Sequence, residues 1–388
     1  MIRRAALLLL MIVAPVPLIA HHGAGNFDLT KTITFNGAKL TRLEMINPHG
    51  WIYFETTEPD GKVMKHRCEM RSAHVLRRSG WSPELFPVGQ KIDITASPDR
   101  FDAASCYLQT IVLPSGARMD RYGQYVKAPE GGLKEVRGAI KEVSTNRPAR
   151  LPNGQPNLGG DWAPEQLVMA DPRGTGGGLV PLSTINQSQP GRQGGGARRG
   201  GGPGAGPRLY GGTELTEAGE KAAAAFTRDD NPRFKCQTTS IIFDWTFDGP
   251  VNRITQNKDT ILIQYGQMEL KRTVHLDQAA HPAKITPTRA GHSIGKWEGD
   301  TLVVDTVGFL PGVLNAPVRN SDKMHVVERF TLEPKTMKLT RAYEVDDPVY
   351  LKGKYTGSDV IQPADAPYTG DTCKEQGFID YSKQTQRR

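Results

Sequence analysis

Charged side chains interrupt the apolar faces of two predicted β-hairpins near the C-terminus. A hairpin centred on Pro334-Lys335 would place Glu328 directly opposite Arg341 among hydrophobic residues. A second hairpin, centred on Gly266-Gln267 with a type II′ turn, would put Arg272 on a similar face. Charges are seldom buried unless paired, so these residues either fix strand register as an ion pair or line a ligand cavity. For a cavity, the expected ligand-binding residues are Tyr265, Arg272, Glu328, Arg341 and Tyr343.

A histidine and a carboxylate in the next predicted hairpin could carry out proton transfer. A two-residue turn at Glu298-Gly299 would place His292 opposite Asp305, whereas a three-residue turn would separate them. A carboxylate can hold an imidazole in one tautomer, so that the imidazole serves as a general base. If the other face of the last hairpin lines the interior, His325 and Glu344 form the candidate pair instead. The candidate catalytic residues are therefore His292, Asp305, Glu328 and Arg341.

The N-terminal residues predict export. Arg3 and Arg4 precede a short apolar run, and the stretch that ends at Ala20 is typical of a secretory signal peptide. The apolar run is too short to span a membrane, so we expect cleavage before His21 and a periplasmic or secreted protein without a membrane span.

Cleavage at that point would create a possible copper site. An N-terminal histidine offers an α-amine and an imidazole, which are ligands that suit Cu(II). His22 and His49 could complete the site with His21. The alternative is that adjacent histidines at a new terminus are exposed and have no role.

The four cysteines predict two disulfides in an exported protein. Only the pairing of Cys68 with Cys106 and of Cys236 with Cys373 keeps each bridge inside one candidate domain. The spacing does not fit a zinc site built from Cys-x-x-Cys pairs. If both bridges form, the chain has no cysteine left to act as a nucleophile.

Composition and motifs exclude several function classes. The formal net charge is +8, but residues 172–212 hold five arginines and no acidic residue, so much of the positive charge lies in a Gly/Arg-rich linker. We therefore expect no nucleic-acid partner. The sequence contains no Gly-x-Ser-x-Gly elbow, Walker loop, dinucleotide fingerprint or His-Glu-x-x-His motif, which disfavours the common hydrolases, kinases and nicotinamide oxidoreductases.

The segment 21–118 predicts a small OB-like barrel. Three strand-like stretches lie between residues 34 and 69, with Pro59-Asp60-Gly61 as a turn. A helix at 72–78 and two more strands, 91–96 and 106–113, complete the order expected of an OB fold. That fold places its third and fifth strands side by side, which would bring Cys68 next to Cys106.

Several phrases in this segment resemble an uncharacterised family of exported bacterial proteins. They are His21-His22, Phe27-Asp28, Ile46-Asn47-Pro48-His49 with Trp51, Leu76 to Trp81, and Leu113 to Arg118. The resemblance implies a domain type and no activity. The stretch 291–309, GHSIGKWEGDTLVVDTVGF, likewise resembles a recurring element of large exported bacterial proteins of unassigned role.

Residues 213–388 predict an antiparallel, broadly lipocalin-like β-barrel. The expected organisation is a signal peptide (1–20), an OB-like domain (21–118), a connecting segment with the flexible linker (119–212) and this barrel. The leading functional hypothesis is an exported protein that binds a small organic ligand in the C-terminal barrel and needs no cofactor. The alternatives are a cofactor-independent isomerase, hydratase or lyase, and a copper-binding protein.

Overall fold

The computed structural model describes residues 26–127, 147–169, 179–181 and 213–375. The expected signal peptide, His21, His22 and most of the Gly/Arg-rich linker lie outside these ranges. Among the described residues, no helix has the length and apolar character needed to cross a membrane.

The first part of the chain forms a small closed barrel with one short helix, α1 (Ala73–Arg78). The strands are β1 Ile33–Glu44, β2 Trp51–Thr57, β3 Val63–Glu69, β4 Lys91–Pro98, β5 Ser105–Val112, β6 Arg118–Asp120 and β7 Tyr125–Lys127. Strand β1 pairs with β2 and β4, β2 pairs with β3, and β5 pairs with β4 and, in parallel, with β3. This confirms the OB-like fold. Strands β6 and β7 extend the sheet further.

Local chemistry explains two features of this barrel. The turn between β2 and β3 forms where Asp60 accepts a hydrogen bond from the Lys62 amide, at 2.9 Å, and Gly61 adopts a left-handed conformation. Cys68 and Cys106 lie opposite each other on the parallel strands β3 and β5, with their Cα atoms 4.4 Å apart, and the predicted disulfide is confirmed.

The second part of the chain, where the structure describes it, contains one further α-helix and fifteen strands. The elements are β8 Gly160–Pro164, β9 Leu167–Met169, β10 Leu179–Pro181, β11 Glu214–Leu215, α2 Glu217–Ala224, β12 Asn252–Gln256, β13 Thr260–Gln264, β14 Lys271–His275, β15 His292–Glu298, β16 Thr301–Val307, β17 Gly312–Asn315, β18 Val318–Asn320, β19 His325–Glu333, β20 Lys338–Asp346, β21 Leu351–Lys352 and β22 Tyr355–Pro363.

Nine of these strands form a closed barrel in the order β12, β13, β14, β15, β16, β19, β20, β22 and β8. One pair, β14 with β15, is parallel, and β8 comes from the segment expected to connect the domains.

The predicted register of the hairpin between β19 and β20 is wrong by two residues. Glu328 pairs with Tyr343, and Arg341 pairs with Phe330, because the four-residue connection, 334–337, is centred one residue later than expected, on Lys335-Thr336. Met337, at the end of that connection, adopts a left-handed conformation that the sequence does not signal. An even shift leaves every side chain on its predicted face, so Glu328 and Arg341 still point into the barrel.

The hairpin between β13 and β14 differs from its prediction in the same way. Arg272 pairs with Ile263, and the connection runs from Tyr265 to Leu270. The expected type II′ turn is wrong, because the left-handed residues are Met268 and Glu269 and not Gly266.

A segment of short 3₁₀ turns, residues 228–250, covers the interior of the second barrel; we call it the cap segment. Its residues Ile241, Ile242 and Trp245 belong to the barrel core. Trp245 contacts Tyr265 and Phe330 edge to face, with ring centroids 5.4 and 5.9 Å apart. The cap segment therefore seals the interior and presents its other side to the first barrel.

Candidate functional site

The structure brings together the charged residues predicted inside the second barrel. Glu328 contacts Arg272 and lies 3.3 Å from the Nη1 atom of Arg341, while Arg341 also pairs with Asp359. Arg341 donates further hydrogen bonds of 2.9 and 3.1 Å to the carbonyl oxygens of Ile241 and Ile242. The two arginines and Glu328 are 2% exposed or less, so this is an internal ionic network tied to the cap segment.

The two tyrosines expected to bind the ligand lie beside this network. The Tyr265 hydroxyl donates to the Ile241 carbonyl at 3.2 Å, and burial raises its pKa to about 12. The hydroxyl groups of Tyr343 and Tyr355 are 3.4 Å apart, and burial raises the pKa of Tyr343 above its usual range. The interior is thus packed with side chains that contact one another, although Arg272 Nε and Nη2 have no hydrogen-bond partner among the described residues. The paired charges favour an ionic network that fixes strand register over a ligand cavity.

The direct pairing predicted for His292 and Asp305 is wrong. The turn lies at Gly299-Asp300, so His292 pairs with Val307 and Asp305 pairs with Ile294. His281, from the loop between β14 and β15, joins the two residues instead. Its Nε2 atom is 2.9 Å from Asp305 Oδ1, and its Nδ1 atom is 2.9 Å from His292 Nδ1.

Two further imidazoles complete what we call the histidine cluster, namely His275, His281, His292 and His325 around Asp305. The His275 ring stacks on that of His292 at 5.3 Å between centroids, and His325 Nε2 is 3.0 Å from Asp305 Oδ2. That hydrogen bond raises the pKa of His325 and lowers the pKa of Asp305. The structure does not form the alternative pair of His325 with Glu344, whose carboxylate lies 3.4 Å from Lys354 Nζ.

His49, the third residue of the predicted copper site, lies in a cavity of about 360 Å³ between the first barrel and the cap segment. We call this cavity the cleft. The first barrel contributes His49, Arg71, Tyr107 and Arg121 to its walls. The walls contributed by the cap segment include Arg233, Phe243, Phe247 and Asp248.

Three arginines dominate the charge of the cleft. Arg121 donates hydrogen bonds to Glu69 at 2.9 Å and to the Met70 carbonyl at 3.1 Å, and Glu69 lies 3.2 Å from His49 Nδ1. Asp248 pairs with Arg71 and lies 3.3 Å from Arg233 Nη2. The Nε groups of Arg71 and Arg121 are buried and have no hydrogen-bond partner among the described residues.

The carboxylates around these arginines do not ionise alike. Burial raises the pKa of Asp248, but the charges of Arg71 and Arg233 outweigh this effect and hold it below its ordinary value. Burial raises the pKa of Asp244 to about 7, although Arg233 lies 3.6 Å away. At neutral pH Asp248 is therefore ionised and Asp244 is only partly ionised. Among the charged side chains that line the cleft, three arginines face one carboxylate, that of Asp248.

Aromatic rings form the apolar part of the cleft. Phe243 and Phe247 stack at 4.3 Å between centroids, and the guanidinium of Arg233 lies 4.3 Å from the Phe247 ring. Phe247 is 41% exposed and lines the cleft. The cleft thus combines cationic donors with an open aromatic surface.

Contacts between the two parts of the chain hold the cleft walls in place. Asn47, from the Asn-Pro-His phrase, hydrogen-bonds to Asp371 and lies 2.9 Å from His74 Nε2. Next to Asp371, the predicted disulfide between Cys236 and Cys373 is confirmed, with Cα atoms 5.6 Å apart. Asn47 thus anchors the loop that carries His49, and the bridge fastens the cap segment to the same place.

A further ion pair supports the opposite side of the interface. Arg78, at the end of α1, donates bonds of 2.7 and 3.1 Å to the two carboxylate oxygens of Asp365. It also donates to the Gly249 carbonyl of the cap segment at 3.1 Å. A bidentate arginine pair of this kind fixes orientation as well as distance.

Sequence reasoning identified only His49 among the cleft residues. The arginines come from separate segments of the chain, and no spacing rule joins Arg71, Arg121 and Arg233. His281 was missed because it lies in an irregular loop, although the grouping of four of the nine histidines between residues 275 and 325 was a usable signal. No set of three or more His, Cys, Asp or Glu side chains in the described part of the chain is arranged to hold a metal ion.

Comparisons with known proteins reach only the first barrel. Residues 9–106 match a family of unknown function, DUF6152. This agrees with the resemblance to an uncharacterised family, and the matched range includes His49, Glu69 and Arg71. The match spans roughly a quarter of the chain. No curated protein and no solved structure matches this sequence.

Proposed function

We propose that this protein is an exported binding protein for a small organic anion and that the ligand occupies the cleft. The observation that carries the proposal is the set of three arginines, Arg71, Arg121 and Arg233, around one cavity. The proposal keeps the small-molecule ligand expected from the sequence and moves its site from the barrel interior to the cleft.

The size of the cleft supports a small molecule. Its volume of about 360 Å³ falls at the lower end of the range of ligand pockets. Pockets commonly form where two structural units meet, and here the two walls come from the first barrel and the cap segment.

The charges and rings of the cleft indicate the class of ligand. Guanidinium groups bind carboxylate or phosphate groups through paired hydrogen bonds, and three arginines, Arg71, Arg121 and Arg233, line the cleft. The exposed face of Phe247 favours a flat apolar group on the same ligand. An aromatic or other planar carboxylic acid fits both features.

Isothermal titration of the purified protein with a panel of aromatic carboxylates and their neutral amides tests the proposal. We expect binding of at least one acid and much weaker binding of its amide, because the amide lacks the charge that the arginines bind. The variant Arg121→Lys keeps the charge but loses the planar fork, and it should weaken binding by about tenfold or more. Binding of acid and amide with equal affinity would contradict the proposal.

A matched control separates the effect of Arg121→Lys on binding from any general effect of replacing an arginine by lysine. Arg329, on the outer wall of the second barrel, pairs with Glu298 at 2.8 Å and is exposed. The variant Arg329→Lys should bind the acid with unchanged affinity. The copper and proton-transfer alternatives stay predictions.

A further inference from the structure

The histidine cluster lies on the outer wall of the second barrel, away from the cleft. Four of the nine histidines of the chain meet there around Asp305. Nothing in the proposed anion-binding function uses them. From this arrangement we infer a Cu(II) site whose protein ligands are the Nδ1 atoms of His281 and His292.

The distance between the two nitrogens suits a tetragonal ion. His281 Nδ1 and His292 Nδ1 are 2.9 Å apart. Imidazole nitrogens bind such ions at about 2.0–2.1 Å, so two ligands at right angles lie about 2.9 Å apart, whereas tetrahedral ligands lie about 3.3–3.4 Å apart. Right angles occur in square-planar, tetragonal and octahedral ions, and among the divalent ions with these geometries Cu(II) binds nitrogen ligands most tightly. Small rotations of the two rings would direct the lone pairs of both Nδ1 atoms at the ion, which would replace the proton of the hydrogen bond between them.

Asp305 provides the support that metal-binding histidines commonly have. Its carboxylate accepts from His281 Nε2 at 2.9 Å, which leaves Nδ1 of the same ring to bind the ion. The other carboxylate oxygen lies 3.0 Å from His325 Nε2, so Asp305 is itself held in place. Asp305 is therefore a positioning residue for the site.

The surroundings leave room for the remaining ligands of the ion. The two histidine side chains are partly exposed. An open groove of about 770 Å³ lies on the side of His281 and Asp305, with Leu276 and Lys296 in its walls, while His292 lies outside its lining. Water molecules or a small exogenous ligand would complete the coordination, since only two protein nitrogens converge there.

The test is a titration with copper sulfate of a mature chain that carries His21→Ser and His22→Ser. These substitutions remove the possible N-terminal site, so that the wall site is observed alone. We expect one Cu(II) per chain by calorimetry and an electron paramagnetic resonance spectrum with hyperfine splitting from two imidazole nitrogens. Absence of stoichiometric binding in this chain would overturn the inference.

Variants in the same background assign the ligands. His281→Ala and His292→Ala should each abolish the two-nitrogen spectrum, and Asp305→Asn should keep the spectrum but weaken binding by about 10- to 100-fold. The control His66→Phe, in the first barrel beside Phe35 and Phe54, should bind copper normally. Circular dichroism would check that each variant is folded. A spectrum that survives both alanine substitutions would overturn the inference.

Discussion

The interior of the second barrel and the cleft both hold arginines against carboxylates, but they differ in charge balance and access. In the interior, Arg272 and Arg341 meet Glu328 and Asp359, so two positive charges face two negative ones. Trp245 and its neighbours in the cap segment pack over Arg341, while Asp359 keeps 21% of its side chain exposed. A balanced and largely buried set of this kind favours a role in fixing strand positions.

The cleft has the opposite properties. Arg71, Arg121 and Arg233 line it with a single carboxylate, that of Asp248, and the cavity remains open between the two walls. The excess of positive charge can be neutralised by an anion from solution. Burial of charged residues alone therefore does not identify a binding site; the balance of charge and the access to solvent must be considered as well.

The largest effect should come from breaking the interior network. The variant Glu328→Gln leaves Arg272 buried without a carboxylate partner, and removing one member of a buried ion pair typically costs about 3–5 kcal/mol. Urea unfolding should show this loss of stability. The control Glu333→Gln, on the exposed side of the same strand, should change little. A stability loss for Glu328→Gln no greater than that of the control would show that the network is not structural.

An intermediate effect should come from the pH dependence of anion binding in the cleft. Asp244 has a pKa of about 7 in the folded chain against an ordinary value of 3.8. It therefore ionises as the pH rises through 7, and the added negative charge should weaken anion binding by about fivefold between pH 6 and pH 8. The variant Asp244→Asn should flatten this part of the pH profile in a calorimetric titration.

Asp244 should also make the free energy of unfolding depend on pH, in a direction that follows from its raised pKa. Because its folded pKa is raised, the folded chain binds a proton between about pH 4 and pH 7 that the unfolded chain does not. The free energy of unfolding should fall with rising pH in this window, by at most about 1.4 kcal/mol per pH unit from this group. A parent protein and an Asp244→Asn variant with identical pH slopes would contradict the assignment.

The smallest effect should come from the aromatic wall of the cleft. The variant Phe247→Ala removes an exposed ring, so stability should change little while affinity for an aromatic acid falls by about 0.5 kcal/mol, or roughly twofold. Binding of a non-aromatic acid of similar size serves as the control and should be less affected. Equal losses for both acids would assign the ring a purely structural role.

The sequence was sufficient for the fold class and for both disulfides. Alternating hydrophobicity and turn residues indicate strands, and the OB-like order brings Cys68 and Cys106 together without further information. The hairpin registers were wrong by two residues because the turns contain left-handed Met268 and Met337, which are not residues that favour this conformation.

The candidate site was mostly beyond the reach of sequence patterns. The cap segment lacks a helix or strand period, so neither its cover over the barrel nor its contact with the first barrel could be predicted. The cleft depends on that contact, since Arg121 and Arg233 belong to opposite walls. His49 was identified only because its residue type suggested metal binding.

We expect a ligand to occupy the cleft and not the barrel interior. A crystal structure of the protein with a bound aromatic carboxylate tests this most directly. We expect the carboxylate to lie between Arg121 and Arg233, with the ring of the ligand against Phe247. Density for the ligand inside the second barrel, beside Arg272 and Glu328, would contradict the account.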